Sequence, residues 1–140
     1  MLITVSDKRR TPAQQSGDAA EAVVVALLES LGWTILARNL HVGRHELDIV
    51  AIDPGPRRAL VAVEVRWRAR RDFGLPEETF DWRKRRRMRD AAFGLLDRGS
   101  LPSGEPLPHL PLRFDLVLVE PPADPGGEVR IRHHRNVLGG

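Results

Sequence analysis

Glu46-Leu47-Asp48-Ile49-Val50-Ala51-Ile52, then Asp53-Pro54-Gly55-Pro56, then Leu60-Val61-Ala62-Val63-Glu64-Val65-Arg66-Trp67: this stretch decides the fold. Both apolar runs alternate with period two, the pattern of strands that pack one face. In the first, Leu47, Ile49 and Ala51 are expected on one face and Glu46 and Asp48 on the other. In the second, Val61, Val63 and Val65 oppose Ala62, Glu64, Arg66 and Arg68. The Pro/Gly turn between them makes an antiparallel hairpin the simplest connection. Pairing the strands would let Asp48 approach Glu64.

Outward from the hairpin, the elements alternate in type. Ala20, Val23, Val24, Leu27, Leu28 and Leu31 recur at helical spacing after Pro12, and Gly32 offers a left-handed stop. Trp33 to Arg38 reads as a short strand. Downstream, Asp81 is placed to cap a helix from Trp82 to about Arg98, with Trp82, Met88, Ala92, Leu95 and Leu96 as its apolar positions and Gly99 as its end. Four prolines between residues 100 and 111 make a loop. Arg113 to Val119 and Val129 to His133 read as strands. The order helix, three strands, helix, two strands predicts an α/β domain over residues 12–140: a central mixed β-sheet flanked by helices, preceded by a flexible arm at residues 1–11.

The 140 residues are 41% hydrophobic, which suffices for one core and argues against a wholly disordered chain. No run of about 18 apolar residues is present, so no membrane span is expected. No signal peptide is read at Met1 to Thr11, and cysteine is absent, which excludes disulfides and thiolate metal sites. These features fit a cytoplasmic protein with no membrane partner. The net charge is only +3, but Arg66 to Arg89 holds ten Lys/Arg against four Asp/Glu. Such focused charge suits nucleic acid or another polyanion. It equally suits a solvated helix face in an arginine-biased sequence, since Lys8 and Lys84 are the only lysines.

Asp48 and Glu64 are the residues with most chemical interest. Buried carboxylates without partners cost several kcal/mol, roughly, and call for a cation or hydrogen bonds. A hard divalent ion would satisfy them, lower the pKa of a bound water and polarise a phosphoryl oxygen. Arg66 would add positive charge to the phosphate. The alternative from spacing alone is a solvated hairpin face on which Glu46, Asp48, Glu64, Arg66 and Arg68 make cross-strand ion pairs. His41 and His45 are four apart, but Gly43 between them argues against a helical zinc pair. The histidines His133 and His134 alternate across a strand, with a surface position expected. Trp33 and Trp82 are read as core, and Arg113 with Asp115 as a buried ion pair or a support of the site.

Asp48, a turn and Glu64-Val65-Arg66 resemble the PD-(D/E)xK motif of restriction-endonuclease-like folds. Gly17-Asp18-Ala19-Ala20-Glu21 resembles the G-x-x-x-E element of archaeal Holliday junction resolvases. An ordered set resembles the YraN-like family of bacterial proteins, from about residue 16 to the end: Leu36 to Asn39, Glu46 to Val50, Val63 to Arg66, Phe73 to Glu77, Arg83 to Arg87 and Arg113 to Asp115.

The resemblance implies a restriction-endonuclease-like fold and a metal-dependent endonuclease that hydrolyses DNA phosphodiesters, in branched or otherwise structured DNA. It implies Asp48, Glu64 and Glu21 as ligands of Mg2+ or Mn2+, and a homodimer by analogy with the resolvases. Glu46 matches a motif position without an assigned role. Arg66 departs from the motif, which has lysine there; arginine stays protonated and cannot serve as a base. Lys84 is placed to supply an ammonium instead, and Arg83, Lys84, Arg86 and Arg87 are the expected phosphate contacts. The rival readings are a catalytically inactive nucleic-acid-binding domain of the same fold, which the Arg66 departure favours, and a protein-interaction module with an acidic partner.

Overall fold

The computed structural model describes residues 12–67, 82–122 and 124–138, with side chains from residue 17 onward in the first stretch. The expected arm, Asp81, and the Phe73 to Glu77 motif lie outside the described residues. The elements are α1 (Pro12–Ser30), β1 (Thr34–Val42), β2 (His45–Asp53), β3 (Ala59–Trp67), α2 (Trp82–Arg98), β4 (Leu112–Glu120) and β5 (Arg130–His134). The five strands form one sheet in the order β1-β2-β3-β4-β5. Every neighbouring pair is antiparallel except β3 and β4, which α2 connects in parallel. The sheet is therefore mixed and flanked by helices, as the sequence pattern predicts. No helix among the described residues is long and apolar enough to cross a membrane.

The two helices bury against different side-chain clusters. From α1, Ala20, Val24 and Leu28 pack with Trp33, Ile49, Ala51, Val61, Val63, Val117 and Val119. From α2, Met88, Ala91, Ala92 and Leu95 pack with Leu40, Val42, Leu60, Ala62, Phe114, Leu116 and Leu118. The central strands β3 and β4 are covered on both faces, which is why their sequences read as nearly continuous apolar runs. The buried residues of each helix lie along its inner stripe. Leu31 and Leu96, read as part of those stripes, are instead exposed: Leu31 follows the last residue of α1, and Leu96 turns away from the sheet while its neighbour Leu95 is buried. Gly32 and Gly99 close the helices with φ of 88° and 74°, as expected for left-handed stops. Inside α2, a Cβ on Gly94 would stand 2.8 Å from Val42 Cγ1. The absence of a side chain there lets the helix lie close on β1.

Candidate active site

The central hairpin forks, and the carboxylates stand at the fork. β2 and β3 pair from Asp53↔Ala59 to Ile49↔Val63. Beyond that point β2 stays with β1 to Val42↔His45, while β3 stays with β4 to Trp67↔Val119. Asp48 and Glu64 are the first residues past the last β2–β3 pair. Backbone donors released at a fork need new partners, and Asp48 Oδ2 supplies one by accepting the Val65 amide at 2.9 Å. Glu64 in turn hydrogen-bonds Asp48 side chain to side chain. The approach expected from the spacing is thus present, with the fork as its cause.

The fork also corrects the expected strand faces. Ile49 and Ala51 pack in the α1 cluster, but Leu47 packs with Leu40 in the α2 cluster. The alternation changes face at Asp48. In register with Asp48, between Arg38↔Ile49 and Leu40↔Leu47, lies Asn39, whose φ is 49°. Asparagine tolerates the left-handed region better than other residues with a Cβ. Asn39 is the backbone twist that turns this end of the hairpin, and nothing in the alternation of the strand marks it.

Burial and crowding of like charge set the electrostatics. Burial pushes the Glu64 carboxyl up to about 8, helped by the charge of Asp48. Burial also raises Asp48, against the Val65 amide and the Glu64 hydrogen bond, which favour its charged form. Burial and nearby like charge thus favour the protonated form at both carboxyls of the pair. Glu21, brought in by α1, is 8% exposed and is raised to about 7 by burial and then by Asp48. Its Oε1 is buried with no hydrogen-bond partner among the described residues.

A cleft of about 190 Å³ opens over Glu64. One wall is Arg44, His45 and Glu46 at the β1–β2 turn. The other is Lys84, Arg87 and Met88 of α2. Of the expected phosphate contacts, Lys84 and Arg87 line the cleft, whereas Arg83 and Arg86 are exposed outside its lining. Burial and then the neighbouring Arg66 lower the Lys84 pKa, while Glu64 and Asp48 oppose that shift. Arg66 Nε stands 4.0 Å from Glu64 Oε1. Arg44 is not singled out by the sequence, and His45 is weighed there only as half of a zinc pair; a Gly43-Arg44 turn signals only a hairpin, and its position across from α2 depends on the whole sheet.

Oxygen ligands in a carboxylate pair suit a hard divalent ion. Glu21 Oε1, without a hydrogen-bond partner among the described residues, and the raised Asp48–Glu64 pair are carboxyls whose charged forms a cation would stabilise. Among the described residues no group of three or more His, Asp or Glu side chains is close enough to hold a metal. The fit is to a two-carboxylate site, which Mg2+ accepts because it retains several waters. Glu21 is brought beside Asp48 but does not complete a triad.

Two other readings end differently and a third is borne out. Trp82 is 64% exposed rather than core, because it opens α2 ahead of the turn that first reaches the sheet at Met88. His133 is half-buried, with Nε2 2.8 Å from Asp115 Oδ2, so it is not a surface residue. Arg113 and Asp115 do form a buried ion pair, with Nη2 to Oδ2 at 2.9 Å. That pair also holds Asp53, which Arg113 Nη2 reaches at 2.9 Å, at the far end of β2 from Asp48.

The family model described as "Uncharacterised protein family UPF0102" matches residues 20–119. UPF0102 proteins of Xanthomonas euvesicatoria pv. vesicatoria and Symbiobacterium thermophilum are similar to this chain. The first is 42% identical over 120 residues, 86% of this chain and 87% of that protein. The second is 37% identical over 127 residues, 90% of this chain and 98% of that protein. A UPF0102 protein of Bifidobacterium longum subsp. infantis is 38% identical over 116 residues, 82% of this chain and 87% of that protein. The chain belongs to the UPF0102 family, the YraN family that its motifs resemble.

Proposed function

We propose that this member of the UPF0102 family is a metal-dependent endonuclease that hydrolyses DNA phosphodiester bonds. The observation that carries the reading is the Asp48–Glu64 pair at the strand fork, its protonation raised by burial, under a cleft walled by Arg44, Lys84 and Arg87. Arg66 and Lys84 already oppose part of the charge of this pair, and Arg44 and Arg87 add cationic side chains around the open space of the cleft.

Asp48 and Glu64 would hold Mg2+ or Mn2+, which when bound lowers the pKa of a water and polarises a phosphoryl oxygen. The Val65 amide fixes one Asp48 oxygen, so the other is aimed without rotational freedom. In its deprotonated form Glu64 would be free to ligate. Lys84 and Arg87 neutralise the entering phosphate from α2, and Arg44 does so from the facing turn. Arg66 keeps its proton at all working pH values and contributes charge beside Glu64, not base catalysis. Glu21, next to Asp48, is placed to hold a water. The exposed Arg83 and Arg86 add phosphate contacts outside the cleft. Such contacts position a backbone without reading sequence.

The test is cleavage of labelled duplex, single-stranded and four-way-junction DNA in Mg2+, Mn2+ or EDTA, by the wild type and by Glu64→Ala. Metal-dependent cutting lost at least about 100-fold in the variant supports the reading. Salt-sensitive binding without cutting on any substrate would instead identify a binding domain that keeps the fold. The Arg66 position and the absence of a third ligating side chain among the described residues favour that second reading.

A further inference from the structure

The two walls of the cleft belong to elements that meet at one close contact. Lys84, Arg87, Ala91 and Gly94 are spaced by three, four and three along α2, so they form a single row on the helix surface. Lys84 and Arg87 line the cleft. Ala91 is fully buried in the cluster that holds Leu40 and Val42. At Gly94 the row reaches β1, where a Cβ would stand 2.8 Å from Val42 Cγ1. Val42 is the last residue of β1 and pairs with His45, so it stands at the base of the turn that forms the other wall. One row of α2 thus runs from its contact with the hairpin to its cations in the cleft.

Glycine is a poor helix former and alanine the best, so α2 gives up helix stability by carrying glycine in its interior. The close approach explains why. Carbon atoms pack best at about 3.5–4.0 Å, so a methyl at residue 94 demands roughly 1 Å of separation. Val42 has little room to yield. Its β-branched side chain is stiff at χ1, and it is buried with Leu40, Leu47, Met88 and Ala91. Whichever gives way, the hairpin or the helix, the two walls move apart. Arg87 lies seven residues before Gly94, about 10 Å along the axis, and a helix carries a displacement that far. A charge-assisted hydrogen bond spans about 2.7–2.9 Å, so an opening of that size breaks a phosphate's contact with one wall or the other.

We infer that Gly94 is a positioning residue: by letting α2 touch β1 at Val42 it fixes the span of the cleft, so that Lys84 and Arg87 reach the same phosphate as Arg44. The inference rests on the cleft being the phosphate site proposed above. It is tested by binding in EDTA, which separates it from cleavage.

The full chain is titrated into a labelled DNA duplex by fluorescence anisotropy over a range of salt, beside Gly94→Ala, Val42→Ala, the double variant and Arg87→Ala. Thermal melts establish that each is folded. The gain in helix propensity offsets part of the overpacking, so Gly94→Ala is expected to fold. It is expected to bind about five-fold more weakly and to lower the slope of log affinity against log salt by about one, as Arg87→Ala does by removing one phosphate contact. Val42→Ala removes the methyl that a Cβ at residue 94 would meet. The double variant is therefore expected to match Val42→Ala within about two-fold, with the slope restored. Unchanged affinity and slope in Gly94→Ala overturn the inference, whatever happens to its melting temperature. So does a loss that Val42→Ala fails to rescue. A Gly94→Ala chain that does not fold overturns it too, since the contact then serves the fold and not the cleft. These results leave the cleft standing as a phosphate site if Arg87→Ala weakens binding. Wild-type protein that does not bind the duplex overturns the inference and the cleft as a phosphate site together.

Discussion

Two groups of buried carboxylates sit toward opposite ends of β2, and they are solved in opposite ways. At one end, Asp115 is fully buried, yet each oxygen has two donors. Oδ1 accepts Arg113 Nε at 2.9 Å and the Asn136 amide at 3.0 Å; Oδ2 accepts Arg113 Nη2 at 2.9 Å and His133 Nε2 at 2.8 Å. Asp53 joins through Arg113 and turns its other oxygen to the Gly55 amide at 3.1 Å. Trp33 covers the group, with the Arg113 guanidinium 5.6 Å from its ring centroid. At the other end, burial raises Asp48 and Glu64 together, and Glu21 Oε1 has no hydrogen-bond partner among the described residues. Burial alone would raise all of these acids. It does raise Glu21, Asp48 and Glu64, whereas the donors around Asp115 overcome it and hold that carboxyl below its usual range. Burial therefore does not mark a site; unbalanced burial does.

The largest expected effect breaks the balanced end. Asp115→Ala leaves Arg113 Nε and the Asn136 amide without their acceptor and Arg113 with Asp53 alone, and removing one partner of a buried pair costs about 3–5 kcal/mol. Urea denaturation should show that loss. Glu64→Gln, equally drastic on paper, should not destabilise at pH 8, because it removes a carboxyl that the fold prefers protonated. Matching losses in the two variants would erase the distinction between the two ends.

The next effect is on pH. The folded pKa values of Glu64 and Glu21, about 8 and about 7, lie above the ordinary 4.5. The folded chain holds protons that the unfolded chain has released, so this end loses stability as pH rises from about 4.5 to 8. Asp115 has the opposite sign: its contribution is present above the usual carboxylate pKa and is lost as pH falls through the lowered folded value. Thermal melts across that range should slope downward in metal-free wild type, and the slope should flatten in Glu64→Gln. Millimolar Mn2+ at pH 8 should raise the wild-type midpoint by a few degrees, about 1–2 kcal/mol by mass action. Glu64→Gln should lose that gain. A melt insensitive to Mn2+ would deprive the fork of its proposed cation.

Much of this contrast is legible in the sequence, and the reason is periodicity. Alternation around Glu64 places the β3 side chains correctly, since Val61 and Val63 do share the α1 cluster. Helical spacing finds both helices, and Gly32 and Gly99 their ends. The nearness of Asp48 to Glu64 follows from a hairpin, the most local of long-range contacts. Period-two reasoning fails where the backbone leaves regular geometry, at Asn39 opposite Asp48, and so puts Leu47 on the wrong face. It says nothing about satisfaction either. Asp53 and Asp115 look like Asp48 in sequence. Their partners Arg113, His133 and Arg135 come from β4, β5 and the residue after it, and only the sheet order β1-β2-β3-β4-β5 brings them to β2. Arg44 escapes notice for the same reason, being remote in sequence from α2.

The smallest expected effect asks whether the fork depends on Asn39. A residue with a Cβ held at φ 49° costs about 1–2 kcal/mol relative to glycine, more for a β-branched side chain, and asparagine lessens this by local hydrogen bonding. Asn39→Gly should therefore leave stability within about 0.5 kcal/mol of wild type, while Asn39→Val should lose about 1–2 kcal/mol. The informative readout is Mn2+ binding and not stability alone. Asn39→Val can relieve its strain by flattening β1, which would draw β2 straight and swing Asp48 away from the Val65 amide. Mn2+ affinity should then fall several-fold in Asn39→Val and persist in Asn39→Gly. If both variants bind Mn2+ as wild type does, the twist serves only to close the β1–β2 hairpin, and the carboxylate pair is set by the β2–β3 fork without help from the edge strand.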